Sequence, residues 1–228
     1  MSRIVEVRGL CYAWEDGTEA LRGIDFNLDA GQTVALLGPN GSGKTTFALH
    51  LNGLLQPSAG SVLIDGVAVR GKHLAAIRRK VGLVFQDSDN QLFMPTVLED
   101  VAFAPLSAGL SPEQATDKAI AALRQVGMES KSGKAPWHLS SGEKKRVAIA
   151  GILASDPLLL VLDEPTTFLD PPGQRSLATL LAGLPQAKIL ITHDMPFARS
   201  LAAEAVFFQE GSITARGSLE QIVTQFDW

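Results

Sequence analysis

The chain has 228 residues, with 20 Lys and Arg against 24 Asp and Glu, a formal net charge of −4 and 46% hydrophobic residues. This length accommodates one large α/β domain with a sizeable buried core, and the hydrophobic share excludes a disordered chain. The acidic balance argues against a nucleic-acid partner, the single Cys11 excludes an internal disulfide and suits a reducing compartment, and no apolar run approaches the ~18 residues that span a bilayer.

Taken in chain order, Met1–Val7 alternates like a strand rather than a secretory leader, and strands are expected at Ile4–Val7, Ile24–Leu28, Val34–Leu37, Val62–Ile64 and Val81–Phe85. The early runs alternate and are joined by the turns Glu15-Asp16-Gly17, Asp29-Ala30-Gly31 and Asp65-Gly66, which predicts an antiparallel sheet. Helical patterns cover Thr45–Leu55, Pro112–Val126 and Gly142–Leu153, with no convincing strand between Gln86 and Ser155. Beyond them, strands at Leu158–Leu162, Ile189–Ile191, Ala205–Gln209 and Ser212–Ala215 alternate with helices at Gln174–Leu184 and Met195–Leu201, and a short helix closes the chain. The later strands are continuous apolar runs, as parallel strands buried on both faces are. The expectation is an α/β fold in a single domain, residues 1–228. It has a parallel core, an antiparallel β subdomain and a helical subdomain inserted at about 87–155. The basic clusters Arg78-Arg79-Lys80 and Lys144-Lys145-Arg146 read as solvated helix faces.

The most specific chemistry lies in Gly38-Pro39-Asn40-Gly41-Ser42-Gly43-Lys44-Thr45, which fits the phosphate-loop pattern G-x-x-x-x-G-K-[ST] at every fixed position. An apolar strand precedes it and a helical pattern beginning Thr45-Thr46 follows, which is the context the motif requires. Glycines let backbone N–H groups curl around phosphate oxygens where a side chain would collide, and the helix N-terminus adds partial positive charge. Lys44 then reaches β- and γ-phosphates, and the Thr45 hydroxyl is placed to ligate Mg²⁺. Leu158–Leu162 ends in Asp163-Glu164, two carboxylates at the C-terminal end of a buried strand, where ligands of such folds sit. Asp163 is expected near Mg²⁺, and Glu164 to accept a proton from an attacking water. Ser140-Ser141-Gly142-Glu143 opens another helix and offers a second anion-binding terminus.

With these residues in hand, the chain resembles the ATP-binding cassette family along nearly its whole length. Residues 38–45 match the Walker A loop, 158–164 the Walker B strand, Gln86 the Q-loop, 139–143 the LSGGQ signature, Leu169-Asp170 the end of the D-loop and His193 the switch histidine. The resemblance implies an ATPase using ATP and Mg²⁺. Tyr12 is its expected adenine-stacking residue, with Trp14 as competitor for that role. Thr45 and Gln86 help hold Mg²⁺, Glu164 is the general base and His193 contacts the γ-phosphate. It further implies that Ser140, Ser141, Gly142 and Glu143 serve the ATP of an opposite chain, so that two chains sandwich two nucleotides. Three positions depart from the family pattern: Ser141 and Glu143 stand where glycine and glutamine are usual, and Phe168 where a small residue is common.

Residues 86–103, with His50–Leu55 and Phe103–Leu106, closely resemble the ATPases of energy-coupling-factor importers for cobalt, nickel and vitamins. This implies a place on the cytoplasmic face of the cell membrane, docked peripherally on an integral scaffold subunit beside a substrate-binding subunit. Asp87, Asp89, Glu99 and Asp100 are candidate acidic counterparts for the scaffold's arginines. The second ATPase chain is either identical or a homologue, and because the sequence stops at Trp228, soon after its last β pattern, a monomer without ATP, or a dimer held by the scaffold, is expected. Cobalt is the leading cargo, with nickel, biotin or another vitamin as the alternative. A soluble cassette acting on DNA or ribosomes is disfavoured, because residues 46–138 hold no long coiled coil and there is no second cassette. An ordinary phosphate-loop kinase would not need the signature, Gln86 and His193 together.

Overall fold

The structure, a computed structural model, describes residues 2–87 and 91–228. The Asp89 expectation therefore lies outside the described residues. Two sheets organise them. Strands β1 (Arg3–Ala13), β2 (Glu19–Asp29), β4 (Ala59–Ile64) and β5 (Val67–Ala68) form an antiparallel sheet in the order β2-β1-β4-β5. Strands β3 (Thr33–Leu37), β6 (Val81–Val84), β7 (Leu159–Asp163), β8 (Ala187–Ile191), β9 (Glu204–Gln209) and β10 (Ser212–Ser218) form the second, ordered β10-β9-β3-β8-β7-β6. It is parallel from β6 to β9, with β10 antiparallel at one edge.

The apolar runs of the parallel strands are explained by burial on both faces. Ala35, Leu37, Leu160, Leu162, Leu190, Ala205 and Phe207 face one core, while Val34, Leu36, Leu159, Val161, Ile189, Val206 and Phe208 face the other. This is the period-2 alternation of a strand with hydrocarbon on either side. The first core is covered by helices α3 (Val97–Ser107), α4 (Pro112–Gln125), α5 (Ser141–Leu153), α6 (Pro171–Ala182), α7 (Met195–Leu201) and α8 (Leu219–Phe226). The second is closed by the antiparallel sheet and by α1 (Lys44–Leu51), with α2 (Leu74–Lys80) contributing the buried Ile77.

The structure departs from the sequence reading in specific places. The first two strands run 11 residues each, longer than the alternation suggested. Bulges shift the β1–β2 register between Val7, Leu10, Tyr12 and Ala13, and Gly9 and Gly23 take φ of 55° and 67°. Each bulge turns the following side chains to the other face, so the alternating pattern breaks while the strand continues. The Asp29–Gly31 turn leads from one sheet into the other, whereas Asp65-Gly66 does close a hairpin. Helix α3 carries Pro105 inside it, which interrupts the helical pattern of the sequence. It is started by a capping box in which Glu99 N–H donates to Thr96 Oγ1 and Thr96 N–H to Glu99 Oε2.

Gly60 on β4 carries φ of +84°, and a Cβ there would lie 2.2 Å from the Gly9 carbonyl oxygen and 2.5 Å from that of Arg8. Both obstacles are backbone, so nothing can swing aside. Gly60→Ala is expected to destabilise the chain by about 3 kcal/mol, measured as a lowered urea midpoint with unchanged slope.

Candidate active site

Four parallel strands deliver the expected site residues to one end of the sheet. Gly38 follows β3, Gln86 follows β6, Asp163 ends β7 with Glu164 next after it, and His193 follows β8. There they border a cavity of about 300 Å³ whose lining includes Asn40, Gly41, Gly43, Lys44, Thr45, Thr46, Gln86, Asp163, Glu164 and His193.

The loop between β3 and α1 is shaped by close backbone approach. At Gly38 (φ +132°) a Cβ would lie 2.0 Å from the Phe208 carbonyl oxygen, and at Gly43 (φ +105°) 2.7 Å from that of Ala20. Lys44 is 7% exposed. Its Nζ donates to the carbonyls of Gly38 (2.6 Å) and Pro39 (2.8 Å) and to Ser42 Oγ (3.3 Å), so Gly38, Pro39 and Ser42 serve here as oxygen partners of the lysine. Burial lowers the Lys44 pKa, opposed first by Glu164 and then by Asp163.

Thr45 Oγ1 donates to Asp163 Oδ2 at 2.8 Å across 118 positions of sequence. These oxygens, with Gln86 on the same cavity wall, form the hard, neutral-plus-anionic oxygen set that suits Mg²⁺. Among the described residues no group of three His, Cys, Asp or Glu is arranged to hold a metal, so a divalent cation here depends on this mixed set and on its ligand's own oxygens. Burial raises the Asp163 pKa against the Thr45 bond and Lys44, and burial raises that of Glu164 against His193.

Glu164 has φ of 44°, uncommon for a residue with a Cβ, and its N–H donates to the Ile191 carbonyl at 2.8 Å. Its carboxylate faces His193, with Oε2 accepting from the His193 backbone N–H at 3.4 Å and Oε1 lying 3.4 Å from Nε2. His193 Nε2 also lies 3.0 Å from Asn40 Oδ1, tying β8 to the loop after β3.

Tyr12 does not line this cavity. It packs edge-on against Trp14 (centroids 5.0 Å apart) and His50 (4.9 Å), while Trp14, 40% exposed, lines the cavity beside Thr18, Glu19 and Ala20. The β1–β2 hairpin brings these last three to the rim, and no signal in the sequence marks them.

Ser140, Ser141, Gly142 and Glu143 lie elsewhere. With Lys145, Arg146, Phe168, Leu169 and Asp170 they border a second cavity of about 560 Å³. Ser140 caps α5, accepting from Glu143 N–H, and Glu143 Oε2 accepts from Ser140 N–H at 2.9 Å. The other Glu143 oxygen pairs with Lys131. The carboxylate is thus folded back onto its own helix cap and neutralised, an arrangement Lys131 supplies without any sequence signature. Lys145, buried, donates to the Phe85 and Gln86 carbonyls at 3.3 and 2.8 Å, joining the start of α5 to the first cavity. Of the acids expected to meet a scaffold, Asp100 is buried and accepts from the Phe93 and Met94 N–H groups, and Glu99 is committed to the Thr96 cap. Asp87 is exposed.

A family model described as "ABC transporter" matches residues 21–167. A putative ABC transporter ATP-binding protein of Streptomyces avermitilis is 49% identical over 96% of this chain and 84% of its own length. The energy-coupling factor transporter ATP-binding protein EcfA of Methanosphaera stadtmanae is 48% identical over 98% of this chain and 82% of its own. Among solved structures, cbiO1 of Clostridium perfringens, part of the ABC transporter complex cbiONQ, superposes with a TM-score of 0.89 at 36% identity, covering 100% of this chain and 93% of that one. The cassette MJ0796, solved as a post-hydrolysis dimer bound to ADP and Pi, gives 0.84 at 28% identity over 95% and 99%. The chain belongs to the ABC transporter family and is its ATP-hydrolysing component.

The raised carboxylate pKa values carry a sign. A carboxyl whose folded pKa lies above its unfolded value holds a proton more readily when folded, so stability falls as pH rises between the two. Asp163→Asn is expected to raise the melting temperature of the nucleotide- and metal-free chain at pH 7. That gain should shrink as pH is lowered through the raised folded pKa and be gone below the ordinary value of 3.8, followed by calorimetry across a pH series.

Proposed function

We propose that the chain is the ATPase subunit of an energy-coupling-factor importer, two copies or two homologues closing on two ATP–Mg²⁺ and driving uptake through a membrane scaffold, with cobalt as the leading cargo. The observation that carries this reading is the convergence of Lys44, Thr45, Asp163, Glu164 and His193 on one cavity at the end of the parallel sheet. The similarity to cbiO1, part of the complex cbiONQ, and to relatives named EcfA supports the importer class, and the order of cargo, cobalt first with nickel, biotin or another vitamin as the alternative, follows the overall sequence resemblance. The whole of 1–228 then forms one cassette, with about 87–155 as its helical subdomain.

In this reading Gly38–Thr46 cradle the triphosphate, and Trp14 takes the base-stacking position with Tyr12 behind it. Thr45, Gln86 and Asp163 would hold Mg²⁺, which neutralises charge on the phosphate oxygens. Glu164 takes the proton of the attacking water. Burial makes it a stronger base than a solvated carboxylate, and His193 beside it keeps the ionised form accessible. His193 and Lys44 meet the γ-phosphate. Ser140–Glu143 and the D-loop residues Phe168–Asp170 surround a separate cavity, which suits a signature acting on the partner's nucleotide.

No helix among the described residues is long and apolar enough to cross a membrane. Docking is proposed at the cleft lined by Leu54, Arg78, Phe85, Ala104 and Ile152, where Leu54 and Phe85 are exposed and Phe103 is exposed nearby. The acidic contribution then narrows from four residues to Asp87 and Asp89. In this reading the protein sits peripherally on the cytoplasmic face of the membrane, with scaffold and substrate-binding subunits as partners and no nucleic acid.

Glu164→Gln is expected to cut ATP turnover at least about a hundredfold, with ATP binding retained and an ATP-dependent dimer on size-exclusion. Undiminished turnover in that variant would remove Glu164 from the mechanism. In the same background, Lys131→Met leaves Glu143 unneutralised beside the partner's phosphates and is expected to weaken ATP-driven dimerisation about tenfold. Adding Glu143→Gln should restore it, read by light scattering against ATP concentration.

A further inference from the structure

His193 is held by more than hydrogen bonds. Its Nε2 edge meets Asn40 and Glu164, and its ring centroid lies 5.4 Å from that of the Trp228 indole, the two planes tilted by 35°. That separation falls within the range of an offset aromatic contact. The indole is fixed in turn. It stands edge-on, at 85°, to Phe207 with centroids 5.4 Å apart, and Phe226 stacks on the same Phe207 ring at 3.7 Å. Asp227 takes φ of 51° at the end of α8, which turns the chain so that Trp228 N–H reaches the Val223 carbonyl at 3.1 Å. Helix α8 is tied to α7 through Arg199, whose guanidinium donates to both Glu220 oxygens at 2.8 and 3.2 Å. Phe207 pairs with Leu37 in the parallel ladder, immediately before the phosphate loop.

An imidazole turns easily about its last torsion, which has broad, shallow wells. Hydrogen bonds at one nitrogen fix a point on the ring, whereas a flat neighbour fixes its plane. We propose that Trp228 is a positioning residue for His193, holding the imidazole plane so that Nε2 stays aimed into the nucleotide cavity. The inference rests on the reading of His193 as a γ-phosphate contact. It adds that α8 sets the orientation of this switch.

The test uses the full chain. Trp228→Leu is expected to lower kcat about fivefold, the scale of one aromatic contact, with KM for ATP unchanged, and Trp228→Phe to recover most of the loss. In a His193→Ala background Trp228→Leu should have no further effect, because coupled residues are not additive. Wild-type kcat in Trp228→Leu, or an equal loss in the His193→Ala background, would overturn the proposal. A second readout requires no turnover. The His193 ring-proton resonances, assigned by their loss in His193→Ala, should lie upfield in wild type and move downfield in both Trp228→Leu and, less far, Trp228→Phe. Should Trp228→Leu not fold, the Phe variant's resonances decide, and unmoved resonances would overturn the proposal. Failure of the ATPase reading itself would instead appear as turnover indifferent to Glu164→Gln, with the ring shifts intact.

Discussion

An ammonium group buried at the start of α1 is the constraint around which the site is arranged. Lys44 leaves little surface exposed, so its charge must be met by oxygens held in place. Three come from its own loop, which is why that loop turns its Gly38 and Pro39 carbonyls inward. Two carboxylates stand behind it at the end of β7, and their field opposes the loss of its proton. The parallel ladder is what brings β7 beside β8 and β8 beside β3, so that Asp163 at the end of β7 meets Thr45 in the first turn of α1.

The same arrangement leaves the site under tension. Two acids are partly withdrawn from water and Glu164 occupies a left-handed backbone. Groups held this way are poised for charge brought by a ligand rather than for maximum stability of the empty chain. Glu143 shows the opposite solution. A carboxylate in the second cavity is tied to Lys131 and to its own helix cap, so its negative charge is largely cancelled where it stands.

Much of this was legible in the sequence because the signals were local. Gly38–Thr45 declares a strand–loop–helix junction, and uninterrupted apolar runs such as Leu159–Leu162 declare strands buried on both faces. Asp163, Glu164 and His193 could be placed because each follows such a run. What escaped depended on distant geometry. The bulges at Gly9 and Gly23 broke the alternation of β1 and β2, and the hairpin they shape decides that Trp14 rather than Tyr12 reaches the cavity. The partners of Glu143 and Lys145 lie 12 and about 60 positions away. Asp100 looked available for docking but folds inward onto two backbone N–H groups, a use that composition does not reveal.

The position of β3 has a consequence for biosynthesis. This strand lies between β8 and β9, both made more than 140 residues later. Gly38 is packed against Phe208, and Gly211 N–H donates to the Ser42 carbonyl. A chain emerging from the ribosome therefore carries the phosphate-loop residues early, with the Ala20 carbonyl that Gly43 meets, but lacks the backbone that Gly38 and Ser42 meet until residues 187–211 have been made. Until then it is a nascent polypeptide with the nucleotide motif and no finished nucleotide pocket, and capture of ATP becomes possible only once β8 to β10 have emerged.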